Sequence, residues 1–187
     1  MMEGVGRRLG SGKNGFLVDI GSHSLNGRER NVLFRNDGDE TFLDVGWVNE
    51  ADRIEDGRGL AIFDYDNNGS LDLLLRNYRM QTVLLANRGD SNHWARFELT
   101  GTQSNRDAVG AKLRLRTGDH WQTRVVTIGS GYLSGSSRRL HFGLGQAETI
   151  DELVIEWPSG ERTVLLDLAV DRLHFVREGA EVALEGR

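Results

Sequence analysis

A chain of 187 residues is long enough for a substantial core, arranged as one large or two small domains. Its formal charge of −5 gives a nucleic-acid role no electrostatic footprint, and no nucleic-acid partner is predicted. Cysteine is absent, which excludes disulfides, thiolate metal sites and cysteine nucleophiles, and no apolar run reaches the length of a membrane span.

Residues 1–30 are rich in glycine, serine and basic side chains and are read as a flexible lead-in with one strand at Phe16, Leu17, Val18, Asp19 and Ile20. No apolar core follows the first residues, so no signal peptide is visible in this chain. The stretch 6–14 superficially resembles a phosphate-binding loop. It fails the pattern, because Arg7 stands where a Walker A loop ending in Gly12 and Lys13 needs glycine, and Asn14 where it needs serine or threonine.

Residues 31–90 contain an internal repeat. Val32, Leu33, Phe34, Arg35, Asn36, Asp37, Gly38 and Asp39 align with Val83, Leu84, Leu85, Ala86, Asn87, Arg88, Gly89 and Asp90, 51 residues later. Each copy runs an apolar strand into an Asn-x-Gly-Asp turn, and each is followed by another apolar stretch, at 42–45 and at 94–99. A period of this size is what propeller blades show.

Between the copies lies the stretch 64–72, set between the apolar runs 59–63 and 73–75. Asp64, Asp66, Asn68 and Asp72 occupy loop positions 1, 3, 5 and 9, the spacing that wraps a short loop round a hard cation such as calcium, which takes about 6–8 oxygens. The Ser70 carbonyl is predicted as a backbone ligand, and Gly69 takes a sharp turn at positive φ. An EF-hand would need a bidentate Glu at position 12, where Leu75 stands, and helical flanks; the short apolar flanks read instead as buried strands. The rival reading is an Asx-rich hairpin turn without metal.

Residues 91–187 read as a β-sandwich. Lys112 to Arg116 and Gln122 to Ile128 alternate polar and apolar around a turn at Gly118 and Asp119, and two further strands flank Pro158, Ser159 and Gly160. Strands are also predicted at 173–176 and 181–184, so that seven or so short strands make a sandwich the default. Twenty-four glycines with a single proline fit an all-β chain with tight turns: partial β-propeller-like blade(s) with a calcium loop, followed by a β-sandwich. Trp94, Trp121 and Trp157 lie in or beside strands, which points to core packing rather than a carbohydrate platform. His23, His93, His120, His141 and His174 are scattered without zinc-site spacing, and no Gly-x-Ser-x-Gly elbow or His-Glu-x-x-His motif occurs. The loops carrying Asn105, Arg106 and Asp107 and residues 132–139, with His141 nearby in sequence, form either a polar pocket for a sugar or peptide or simple turns tied to neighbouring backbone.

The calcium loop with its Asn-x-Gly-Asp turns resembles the FG-GAP (VCBS, integrin-α-like) repeat. The segment from Asn92, His93 and Trp94 through Gly101 to Ala111, then Gly129 to Ser134, Leu140 to Gly145 and Trp157 to Gly160, resembles the ASPIC/UnbV domain, a C-terminal module of cartilage acidic protein-like and bacterial exported proteins. The first resemblance implies calcium binding. The second implies an extracellular or periplasmic setting, without a defined reaction. A closed propeller needs about 4–8 blades, and residues 31–90 supply little more than one, so the blade is expected to pack on the sandwich or to pair its edges with a second copy. The function that follows is a non-enzymatic, calcium-binding interaction module presenting loops to a protein or glycan partner. The alternative is a UnbV-type enzyme or accessory protein in natural-product biosynthesis of the enediyne kind, with Arg106, Asp107 and His141 converging on a pocket.

Overall fold

In a computed structural model, residues 29–89, 91–180 and 184–185 are described. The predicted strand at 16–20 and nearly all of the lead-in lie outside them, as do residues 181–183 of the strand expected at 181–184. Among the described residues there are thirteen strands and no helix, so none is long and apolar enough to cross a membrane. The strands form several sheets, none of them closed. The described residues divide into two compact units, 29–58 with 76–81 and, from residue 59 on, 59–75 with those after 81.

In the first unit, β1 (Phe34–Asn36) and β2 (Phe42–Asp44) form an antiparallel hairpin pairing Phe34 with Asp44 and Asn36 with Phe42. Short polar side chains build its turn: the Asn36 carbonyl oxygen Oδ1 accepts from Gly38 N at 2.9 Å, and Asp39 accepts from Thr41 N at 3.1 Å.

The second unit holds most of β3 (Gly57–Phe63) and β4 (Asp72–Asn77) and all of β5 (Val83–Leu85), in the sheet order β3-β4-β5. It also holds two four-stranded sheets. One runs β11 (Arg162–Ala169), β10 (Thr149–Glu156), β7 (Lys112–Thr117), β8 (His120–Val125). The other runs β13 (Leu184–Glu185), β12 (Arg172–Arg177), β6 (His93–Thr100), β9 (Leu140–Gly145), with β6 and β12 parallel.

Period-two alternation explains why these two sheets share a core. On β7, Leu113 and Leu115 are fully buried while Lys112 and Arg114 are exposed; they pair with the buried Ile155 and Leu153 of β10. From the other sheet, Ala95, Phe97 and Leu99 of β6, Phe142 and Leu144 of β9 and Val176 of β12 join the same apolar cluster. Phe97 meets Phe142 edge to face at 5.7 Å between ring centroids and stacks on His174 at 5.0 Å. Trp157 is buried beside Pro158 and Gly160, where the turn closes by Gly160 N donating to Trp157 O at 2.9 Å.

Three local expectations are corrected. Trp121 is 39% exposed rather than a core residue, because it pairs with the outward-facing Arg116 and lies beneath Arg114 and Arg116. β8 stops at Val125, so Thr127 and Ile128 are outside the strand; the chain leaves there and reaches β3 farther on, where Ser137 N donates to Ile62 O. The flanks of the acidic loop are strands, as predicted, but half-buried rather than buried. The two repeat copies also differ in surroundings: the first is the β1–β2 hairpin, whereas in the second β5 pairs with β4, and the following strand β6 pairs with β9 and β12.

Candidate functional site

The loop between β3 and β4 folds on its own carboxylates. Asp64 Oδ1 accepts from Asn68 N at 3.1 Å and Oδ2 from Gly69 N at 2.9 Å, while Asp66 Oδ1 accepts from Asn68 N at 3.2 Å. Asn68 Oδ1 accepts from Ser70 N at 2.7 Å, and its amide donates to Asp66 and to the Asn87 carbonyl. Asp72 is fully buried; its two oxygens accept from Tyr65 N at 2.8 Å and Asn87 N at 2.7 Å, which ties the loop's start to the chain after β5. Chains of Asx turns of this kind curl a short loop inward.

As a result, Asp64, Asp66 and Asp72 each offer an oxygen within 4.8 Å of the other two. A calcium ion binds oxygens at about 2.4 Å, so ligands on opposite sides of one ion lie about 4.8 Å apart. The three side chains assigned from spacing are therefore close enough for one hard cation. Asn68 and Ser70 belong to the same loop, with the Asn68 side-chain oxygen engaged by Ser70 N.

Gly69 sits at φ +92° and Asn67 at φ +60°, the left-handed backbone the turn requires. A Cβ on Gly69 would lie 1.9 Å from Trp94 Nε1, so the indole closes over the loop as well. Trp94 in turn stacks against His141, and Arg96 lies over the Trp94 ring at 4.7 Å. His141 Nε2 meets the Gly69 carbonyl at 2.7 Å; burial draws the imidazole below its ordinary pKa, against the pull of that hydrogen bond.

Sequence reasoning missed Arg96. Its side chain is 7% exposed and pairs with Asp64 Oδ2 at 2.9 Å, the Asp64 side chain being 1% exposed, and it reaches Asn67 Oδ1 at 3.3 Å. Burial lowers its pKa while Asp64 opposes the shift. This arginine supplies part of the positive charge that three clustered carboxylates demand. The signal was present in the period: Trp94, Arg96 and Glu98 alternate with the core residues Ala95, Phe97 and Leu99, so they occupy the other face of β6.

Glu178 was also missed. It is 3% exposed, and its Oε2 accepts from three successive backbone N–H groups, Thr102 at 2.6 Å, Gln103 at 2.8 Å and Ser104 at 2.7 Å. Oε1 accepts from the Ser104 and Ser159 hydroxyls, each at 2.6 Å. Nothing local in the sequence marks it, since its partners lie 74 to 76 residues away along 102–104 and 19 away at Ser159.

The other predicted loop residues separate. Asn105 serves its own turn, exchanging two 2.9 Å hydrogen bonds with the Val109 backbone. Arg106 and Asp107 line one cavity of about 750 Å³, and Asp107 pairs with Arg138. His141 lines a different cavity of about 570 Å³, with Asn68, Gly69, Ser70 and Trp94. Of the other described histidines, His93 pairs with Asp171 at 2.6 Å and lines the same cavity as His141, His174 meets Ala169 O at 2.9 Å, and His120 lies exposed on β8.

Residues 101–183 match the family model "ASPIC and UnbV", supporting that domain over this segment. The chain is also similar to cartilage acidic protein 1 of three vertebrates. Identity is 33% over 79% of the chain for Mus musculus, 34% over 70% for Homo sapiens and 36% over 61% for Xenopus tropicalis. It spans 23%, 20% and 18% of the lengths of those relatives.

Proposed function

We propose that this chain is a calcium-binding, non-enzymatic interaction module of extracellular type, in which an FG-GAP/VCBS-like, blade-forming region over 31–90 is stapled by calcium and an ASPIC/UnbV sandwich over 91–187 presents loops to a protein or glycan partner. The observation that carries the metal reading is the convergence of Asp64, Asp66 and Asp72 within 4.8 Å in a strand-loop-strand. The domain match and the likeness to cartilage acidic protein 1 support the extracellular setting. Against an enzyme stands the dispersal of Arg106 and Asp107 from His141, which line separate cavities.

The Arg96–Asp64 pair bears on affinity: a guanidinium already on one ligand weakens the field a cation meets, so the site suits the higher calcium levels outside cells. Metal-stripped protein titrated calorimetrically with calcium is expected to bind in the range of about 10⁻⁴ to 10⁻³ M. At a hundredfold excess over Kd the folded state gains about 2.7 kcal/mol, a Tm rise of several degrees. Asp66→Ala should erase both the heat and the shift because it removes a charged ligand, and since Asp66 is exposed its loss leaves the fold intact. An unchanged Tm at about 100 mM calcium, a hundredfold over the weakest Kd expected, would refute the metal reading.

A further inference from the structure

The cavity beside Arg106 carries chemistry that the calcium loop does not explain. Three arginines line it, Arg106, Arg138 and Arg139, against two carboxylates, Glu98 and Asp107. Both carboxylates are engaged, Glu98 by Arg139 Nε at 2.8 Å and Asp107 by Arg138. Arg106 has no side-chain hydrogen bond or ion pair to any described residue, which leaves one uncompensated guanidinium in a chain of net charge −5.

Both walls are held in place. The Arg106 loop is closed by Gly101 N donating to Arg106 O at 3.0 Å, Ala108 N to Asn105 O at 2.8 Å, and the Asn105–Val109 pair. The opposite wall is stitched to β3: Leu60 N donates to Ser134 Oγ at 2.9 Å, Ile62 N to Ser136 Oγ at 3.2 Å, and Ser137 N to Ile62 O at 3.2 Å. A site whose walls are already ordered loses little entropy on binding.

Size and lining narrow the ligand. About 750 Å³ lies within the range of roughly 300–1,000 Å³ for small-ligand sites and exceeds what one simple ion fills. Only Leu99 and Val126 among the lining residues are apolar and none is aromatic, so neither an apolar ligand nor a base needing a stacking platform is matched. A single free guanidinium suits one monoanionic group held by two oxygens, whereas a phosphate dianion asks for more positive charge than two already neutralised arginines leave. Hydroxyls and paired carboxylates around it can bond to further hydroxyl groups.

We infer that this cavity binds a saccharide bearing a carboxylate or sulfate, with Arg106 holding the anion and Ser136, Ser137 and the Glu98–Arg139 pair meeting the sugar hydroxyls. The inference deepens the interaction-module reading by naming the ligand class, and it does not require the metal.

The test uses the full chain in low salt, titrated by calorimetry with an unsulfated glucuronate-containing tetrasaccharide, a sulfated counterpart and a neutral tetrasaccharide. Each titration is run with calcium and with chelator. Binding of either anionic sugar, weakened about tenfold by Arg106→Gln and unaffected by Arg162→Gln on β11, is expected. The tighter of the two anionic arms assigns carboxylate or sulfate. Equal binding of the neutral sugar, an equal loss in both arginine variants, or no binding of either anionic sugar would overturn the inference. Because the calcium reading is judged by the melting shift and this one by the Arg106 comparison, either can fail alone.

Discussion

Glu178 shows how much one side chain can organise. Burial by itself would raise its pKa; the Ser104 and Ser159 hydroxyls and the backbone N–H groups of Ser104 and Thr102 outweigh that and hold it down at about 2, from an ordinary 4.5. A carboxylate depressed in the folded state contributes stability that is complete above the unfolded pKa and is lost as pH falls through the folded one. The window here runs from about 4.5 down to about 2. Glu178→Gln keeps the shape but loses the charge on which five donors converge, and should cost about 2–4 kcal/mol at neutral pH. Denaturant melts between pH 7 and pH 2 check both parts: the variant should be less stable at pH 7 and flatter through the acid window.

Among the elements, the β3-loop-β4 unit carries the most constraint. Asx turns bend the loop, Gly69 supplies the left-handed turn, and Trp94 from β6 closes over it. Gly69→Ala therefore meets both a disfavoured φ and an indole 1.9 Å from the new methyl. It should cost about 3 kcal/mol or more and abolish any calcium-dependent melting shift, measured by scanning calorimetry. The free side of β3 illustrates a second device. Ser134, Ser136 and Ser137 occupy part of its backbone edge, so a strand that would otherwise invite another chain is partly capped from within.

At the level of the molecule's larger unit, stability rests on a core that two sheets build together. Phe97 of β6 is fully buried against Phe142 of β9 and His174 of β12, and the cluster continues through Leu113 and Ile155 of the facing sheet. Phe97→Ala should cost about 3–5 kcal/mol. Hydrogen exchange of slow amides on β7 and β10 should accelerate by the same factor as on β6 and β9, because a shared core opens as one cooperative unit. Faster exchange confined to β6 and β9 would show that the sheets are held independently.

Much was legible in the order of residues alone. Alternation placed β7 and β8; Pro158 and Gly160 placed a turn with β10 and β11 on its flanks; the spacing of Asp64, Asp66 and Asp72 placed three carboxylates on one inward-curling loop. These are local properties, set by a period of two or by turns a few residues long. What only the tertiary structure decided depends on register and on partners far along the chain. Trp121 faces outward because it pairs with Arg116; Asp64 has a buried cation because β6 brings Arg96 to it; Glu178 has its donors because β12 ends beside residues 102–104. His141 turns to the Gly69 carbonyl and away from Arg106 for the same reason: pairing across a sheet, which no local pattern encodes, sets which loops meet.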